Sequence, residues 1–248
     1  MNAISQVVSK KIHNAFALIR PPGHHAEKSR AMGYCLFNHI VLGALFAQKR
    51  LNLKKILIID WDLHHGNGTQ HAFEKDPSVL FFSVHQAGLF PGTGSFIETG
   101  SGPGEGYTIN LPIPKGYGNA EYATIFQQLL APVAEQFAPE LIVVSAGFDT
   151  PAQDPMGGMR LTAQGFAGMT ASIKRIADKV CQGKIVMAIE GGYHCDALSE
   201  SVKAVLKEMA GMTGADVDAM AAEADKKKRA YVCKRCIKVH RHFWKFEG

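Results

Sequence analysis

Five apolar runs limit what this chain can become: AFALIR (15–20), KKILIID (54–60), VLFFSVH (79–85), ELIVVSAG (140–147) and KIVMAIEGG (184–192). They are continuous rather than alternating, the pattern of central strands in a parallel sheet covered on both faces. Helical stretches fall between and after them, at 36–50, 67–75, 119–137, 162–181 and 196–212, with Asn119 and Thr162 as candidate caps. Strand–helix alternation of this kind builds right-handed βαβ units. The expected fold is therefore α/β, an open and mainly parallel β-sheet flanked by helices. Residues 86–118 are rich in Gly and Pro and read as one long loop, a length that in a compact domain usually carries function. The expected domain spans 1–212, followed by a basic C-terminal tail, 213–248.

Composition removes several classes. With 46% hydrophobic and 20% charged residues, the 248-residue chain is neither disordered nor collagen-like. No apolar run reaches the ~18–20 residues that span a bilayer, and the first residues have no signal-peptide core. Five cysteines (Cys35, Cys181, Cys195, Cys233, Cys236) without a secretion signal predict a reducing, cytoplasmic setting. The net charge of +5 is local: residues 225–248 hold nine Lys/Arg against two acids, and the body is slightly acidic. The body thus shows no nucleic-acid surface. In the tail, Cys233, Cys236, His240 and His242 form a short-spaced echo of a zinc knuckle. Phe243, Trp244 and the basic residues offer a contact for nucleic acid, a membrane or an acidic partner. The simplest reading is a solvated basic tail.

In open α/β sheets, ligands bind beyond the carboxyl ends of the strands. After the first run comes PPGHHAE, with His24 and His25; after the second, WDLHHGNG, with Asp62, His64, His65 and Asn67; after the third, His85 and the glycine-rich loop. After the fourth comes Asp149, and after the fifth Gly191, Gly192 and Tyr193. Asp62 and His64, two apart in an extended or turned segment, can face one ion, and Asp149 can supply a third ligand. The alternative is that both aspartates cap helices. Adjacent His24 and His25 would have separated pKa values, one acting as a base while the other stays charged; the alternative is a surface dipeptide. Asp60 suits orientation of a ligand or histidine. Tyr193 after two glycines can donate to a developing oxyanion, or simply pack over them. Tyr34 and Phe90 can wall a narrow channel.

Taken together, RPPGHHAE, GYCLFNH, DWDLHHGNGTQ, FPGTG, SAGFD and EGGY, in this order over residues 15 to about 210, resemble the zinc-dependent histone deacetylase superfamily. The likeness is to its class II and bacterial acetylpolyamine/acetoin-utilisation branches. The resemblance implies an arginase-like fold and zinc-assisted removal of acetyl groups from acetyl-lysine, acetylated polyamines or other small amines. It implies zinc ligands Asp62, His64 and Asp149, His25 as general base and acid with His24 as its electrostatic partner, and Tyr193 polarising the acetyl carbonyl. It further implies a channel at Gly33, Tyr34, Phe90, Gly191 and Gly192, with Tyr34 where Phe is commoner. Asp60 and Asn67 support these groups, Asn67 standing where some members have Asp. A structural potassium ion, K+, is implied around Asp60, Asp62, His64 and Ser83.

One departure stands out. Family catalytic domains usually continue well N-terminal of the PPGHH motif, whereas only 20 residues precede Pro21 here. A layer of sheet and helix is then expected to be missing, with apolar surface exposed. The competing readings are an inactive fragment or binding module and, on the same fold, a two-manganese ureohydrolase. The latter needs further bridging carboxylates, but Thr150-Pro151 follows Asp149 and the next acid is Asp154.

Overall fold

The computed structural model describes residues 1–246. Six strands form one fully parallel sheet: β1 (Asn14–Ala17), β2 (Ile56–Asp60), β3 (Val79–Gln86), β4 (Thr108–Ile113), β5 (Leu141–Ala146) and β6 (Ile185–Ile189), in the order β1-β6-β5-β2-β3-β4. The helices are α1 (Asn2–Val8), α2 (His39–Leu51), α3 (Asn67–Phe73), α4 (Asn119–Ile125), α5 (Ala131–Phe137), α6 (Ala163–Cys181), α7 (Cys195–Met209), α8 (Val217–Ala222) and α9 (Lys226–His240).

All five residues of β2 are buried. Its side chains alternate between faces. Ile56 and Ile58 join Ile4, Ile40, Val79 and Phe81 under α1 and α2, while Leu57 and Ile59 join Trp61, Phe82, Phe126 and Phe166 on the opposite face. Each such aliphatic side chain taken from water contributes roughly 1.5–3 kcal/mol, which makes continuous apolar runs, not alternating ones, the right sequence for these strands.

Four expectations need correction. The 86–118 stretch is not all loop: Thr108–Ile113 forms edge strand β4 beside β3. The helical stretch 119–137 is interrupted by a π-helical segment, Phe126–Leu130, between α4 and α5. Asn119 is not the cap: Gly118 holds that position, with the Glu121 side chain accepting from its N–H. The Asn119 side chain instead binds the Thr162 backbone N–H and hydroxyl, and Thr162, at the α6 cap position, makes no side-chain capping bond. Finally, residues after 213 are not a solvated tail. Asp225 caps α9 by accepting from Lys227 and Lys228 N–H. Cys236 and His240 are fully buried, and the Trp244 indole N–H donates to Gly106 O at 2.7 Å. Cys233 and Cys236 lie on the buried side of one continuous helix, not in a knuckle; among the described residues they belong to no cluster of three or more metal-ligating groups.

At the other sheet edge, β1 pairs with β6, and Leu18, Leu36, Phe37 and Leu42 are exposed. No helix among the described residues is long and apolar enough to cross a membrane.

Candidate metal centre and active site

The parallel register sets the carboxyl ends of four strands in line. Asp60 closes β2 opposite Ser83 of β3 and Ser145 of β5, and Ser145 pairs with Ala188, two residues before Glu190. The segments that leave these ends converge. Asp62 and His64 follow β2 and Asp149 follows β5; all three are buried, and one ligand atom from each lies within 4.8 Å of the others. His64 Nδ1 stands 3.2 Å from Asp62 Oδ1 and 3.1 Å from Asp149 Oδ2. The free oxygens are not idle: Asp62 Oδ2 accepts from Gly191 N–H at 2.8 Å, and Asp149 Oδ1 from Leu63 N–H at 3.0 Å. These bonds lock both carboxylates in orientation.

The electrostatics suit a cation. Burial, then the neighbouring Asp62 charge, pushes the Asp149 carboxyl up to about 7. Burial works against the charged form of His64, but its bonds to Asp149 and Asp62 push it up to about 10. Asp62, although burial opposes its charge, is held below the usual carboxylate range by His24 and His64. Two buried carboxylates this close are costly unless compensated, and two oxygens with one imidazole nitrogen are a fitting donor set for a catalytic divalent ion. Among the described residues this is the one such cluster of three or more groups.

His24 and His25 stack beside this cluster, ring centroids 4.0 Å apart. His24 Nδ1 donates to Asp60 Oδ2 at 2.9 Å and its Nε2 lies 3.7 Å from Asp62 Oδ1. Burial lowers its pKa, but Asp60, Asp62 and Glu190 overcome that and raise it well above the ordinary value. His25 goes the other way: burial, then the His24 charge, lowers it to about 3. Its Nδ1 is 2.8 Å from Asn67 Oδ1, while Asn67 Nδ2 donates to Glu27 Oε1 at 2.6 Å. Because the Glu27 carboxylate only accepts, the Asn67 oxygen must face His25. The His25 proton therefore sits on Nδ1, leaving Nε2 as a base. The His64 ring is 6.0 Å from His25. Gly33, at φ +56, lies so close that a Cβ there would come within 2.2 Å of the His25 ring.

Tyr193 follows Gly191 and Gly192. Burial, then the charges of Asp62 and Asp149, raises its phenol pKa. Tyr34, 71% exposed, has its ring 6.2 Å from that of Tyr193. Phe90, 48% exposed, meets His25 edge-on at 4.9 Å. A cavity of about 600 Å³ lined by Arg20, Pro21, Pro22, Tyr34 and Tyr193 opens beside the phenol. Of the residues around the implied potassium position, Asp60 and Ser83 are paired in register; the Ser83 hydroxyl bonds His85 Nδ1 at 2.9 Å and Asp60 Oδ1 accepts from Asp62 N–H at 3.1 Å.

Sequence reasoning missed Glu190. Fully buried, it accepts from Gly23 N–H at 2.6 Å and His24 N–H at 3.1 Å through Oε2, and from the Ser145 hydroxyl at 3.2 Å through Oε1. It clamps the PPGHH turn to the end of β6. The visible signal was an acid ending the apolar run KIVMAIE directly before two glycines.

Residues 1–209 match the family described as "Histone deacetylase domain". The chain belongs to the histone deacetylase family. Histone deacetylase 14, chloroplastic, of Arabidopsis thaliana is 44% identical over 210 residues, covering 85% of this chain and 48% of that protein. Human histone deacetylase 9 is 43% identical over 219 residues, covering 84% of the chain and 21% of the relative. The crystal structure of the HDA15 HD domain superposes with a TM-score of 0.90 at 37% identity, over 98% of this chain and 65% of that one. This histone deacetylase-family chain thus spans half or less of the length of these two relatives. The arginase/deacetylase fold is that of the HDA15 domain. The relatives are plant and human histone deacetylases, and they lend no support to the bacterial acetylpolyamine or acetoin-utilisation branch.

Proposed function

We propose that the chain is a zinc-dependent amidohydrolase that removes acetyl groups from acetylated amines, acetyl-lysine first among them. One observation carries the reading: two buried carboxylates and an imidazole nitrogen converge within 4.8 Å, beside a His25 whose unprotonated Nε2 is set by Asn67. Asp62, His64 and Asp149 would hold the ion. A zinc ion in such a site lowers the pKa of water toward ~7 and polarises a carbonyl oxygen.

The chain's own groups do the rest. His25 Nε2 takes the proton of the attacking water and returns it to the leaving amine. His24, kept charged by Asp60, opposes a second positive charge on His25 and so makes it ready to give the proton back. The Tyr193 hydroxyl donates to the carbonyl oxygen as that atom gains negative charge. Phe90 over His25 and Tyr34 beside Tyr193 flank the acyl group, with Gly33, Gly191 and Gly192 leaving room for it. Potassium at the Asp60–Ser83 strand ends is part of the same proposal, as is a reducing, cytoplasmic setting; all five cysteines are free thiols.

The test is metal content together with acetate release, measured on an acetyl-lysine peptide and on N-acetylated polyamines. One zinc per chain with acetate from the peptide is the expected result. Zinc without turnover on any acetylated amine would leave a metal-binding module. Asp149→Ala should abolish both bound zinc and turnover; an unchanged zinc content would remove Asp149 from the centre.

A further inference from the structure

Five residues, Glu190–His194, bridge the end of β6 and the start of α7, and two of them are glycines, Gly192 at φ +129. Neither the sheet ladder nor the helix holds the backbone of Tyr193. Its N–H donates instead to Asp154 Oδ2 at 2.7 Å, and the next N–H, of His194, donates to the same oxygen at 3.2 Å. Asp154 is 3% exposed and comes from a different loop, five residues past Asp149. That loop is itself fixed: Oδ1 accepts from Met156 N–H at 3.0 Å, Asp154 N–H donates to Pro151 O at 3.0 Å, and Pro151 bridges to Leu161. One carboxylate thereby references the Tyr193 backbone to the loop that carries Asp149.

We propose that Asp154 is a positioning residue for Tyr193, holding the phenol at the height where it meets the acyl oxygen. The inference rests on the deacetylase reading and adds a residue to it. Two charge-assisted backbone bonds on one buried oxygen are the strong kind, and a glycine-flanked segment has little else to resist movement. A 1 Å displacement of a catalytic group is enough to cost roughly 100-fold in rate.

The experiment compares Asp154→Ala and Asp154→Asn, in the full zinc-loaded chain, with and without Tyr193→Phe. Asp154→Ala should lower kcat by roughly 10- to 100-fold, with KM within about threefold and zinc content unchanged. Asp154→Asn keeps one acceptor oxygen and should lose less. In the Tyr193→Phe background, Asp154→Ala should remove less than about a further threefold, because the group it positions is gone. Losses that multiply in full, or a kcat equal to that of the parent, would overturn the proposal. A second readout needs no turnover: with 3-fluorotyrosine incorporated, the Tyr193 fluorine resonance, assigned by its absence in Tyr193→Phe, should shift or broaden in Asp154→Ala while that of Tyr34 stays. If the alanine variant does not fold, Asp154→Asn must move the same resonance by a smaller amount. An unmoved Tyr193 resonance refutes the positioning role; a parent protein that releases no acetate while its Tyr193 resonance responds refutes the deacetylase reading alone.

Discussion

Asn67 and Glu27 illustrate how much of a candidate base's behaviour is decided by its neighbours. An amide bound to a carboxylate at one end has a single orientation at the other, so the His25 tautomer follows from a residue 42 positions away. The histidine pair and the D-x-H spacing are readable along the chain because they are local. Glu190 and Asp154 are not, because their partners are backbone N–H groups on other segments, in the case of Gly23 167 residues distant. At this scale the central prediction concerns Tyr193. On the proposed mechanism, replacing it with Phe removes one donor to a developing oxyanion, and such losses cost roughly 100- to 1000-fold in turnover. Zinc content should be unaffected, because the proposed ligands are Asp62, His64 and Asp149. Steady-state kinetics with metal analysis checks it, and retained turnover would remove the oxyanion role.

Elements were legible to different degrees. Four of the five runs became central strands because they bury side chains on both faces, the condition their composition satisfies; the first, expected to be central as well, became the short edge strand β1, whose residues are only half-buried. β4 escaped notice because its sequence, TINLPI, is short, carries Pro112 and Asn110, and lies inside a Gly/Pro-rich stretch; an edge strand tolerates a proline that a central one would not. The π segment could not be read either, since its residues, FQQLL, have ordinary helical character. α2 depends on a cap that reaches the site: Asn38 Oδ1 accepts from Val41 N–H at 3.0 Å, and its amide donates to Thr69 Oγ1 at 3.0 Å and to His24 O at 3.4 Å. Asn38→Ala should destabilise the protein by about 1–2 kcal/mol through the lost cap and buried bonds. Urea denaturation measures this, and a midpoint unchanged from the parent would show that the cap is redundant.

For the molecule as a whole, the charge count misled. Nine basic residues suggested a solvated tail, yet α9 turns its apolar side inward and its charges outward. Trp244 packs edge-on against Tyr107 and Phe137 at 5.6 and 6.4 Å. His240 is fully buried, and its two ring nitrogens have no hydrogen-bond partner among the described residues. Burial lowers its pKa to about 4. The unfolded chain, with an ordinary histidine near 6.5, then binds the extra proton first as pH falls. The native state therefore loses stability between about pH 6.5 and 4, on the order of 2 kcal/mol from this group between pH 7 and 5. His240→Leu should flatten that part of the stability curve while leaving the neutral-pH value similar or higher. Denaturation midpoints at pH 7 and 5 decide it; parallel slopes for parent and variant would exclude His240 as the acid-sensitive group.

Backbone lies where side chains would otherwise crowd the centre. A Cβ on Gly147 would fall 2.1 Å from Asp62 Oδ2, and one on Gly191 2.4 Å from Asp149 Oδ2. A single methyl is thus the smallest poison available: Gly191→Ala removes none of the proposed ligands, base or donor, yet should prevent the proposed zinc from binding as fully as deleting Asp149, and retention of one zinc per chain in that variant would contradict it. The same crowding narrows the routes by which this chain could drift toward a new chemistry, because the walls nearest the Asp62–Asp149 cluster have no room to vary in size.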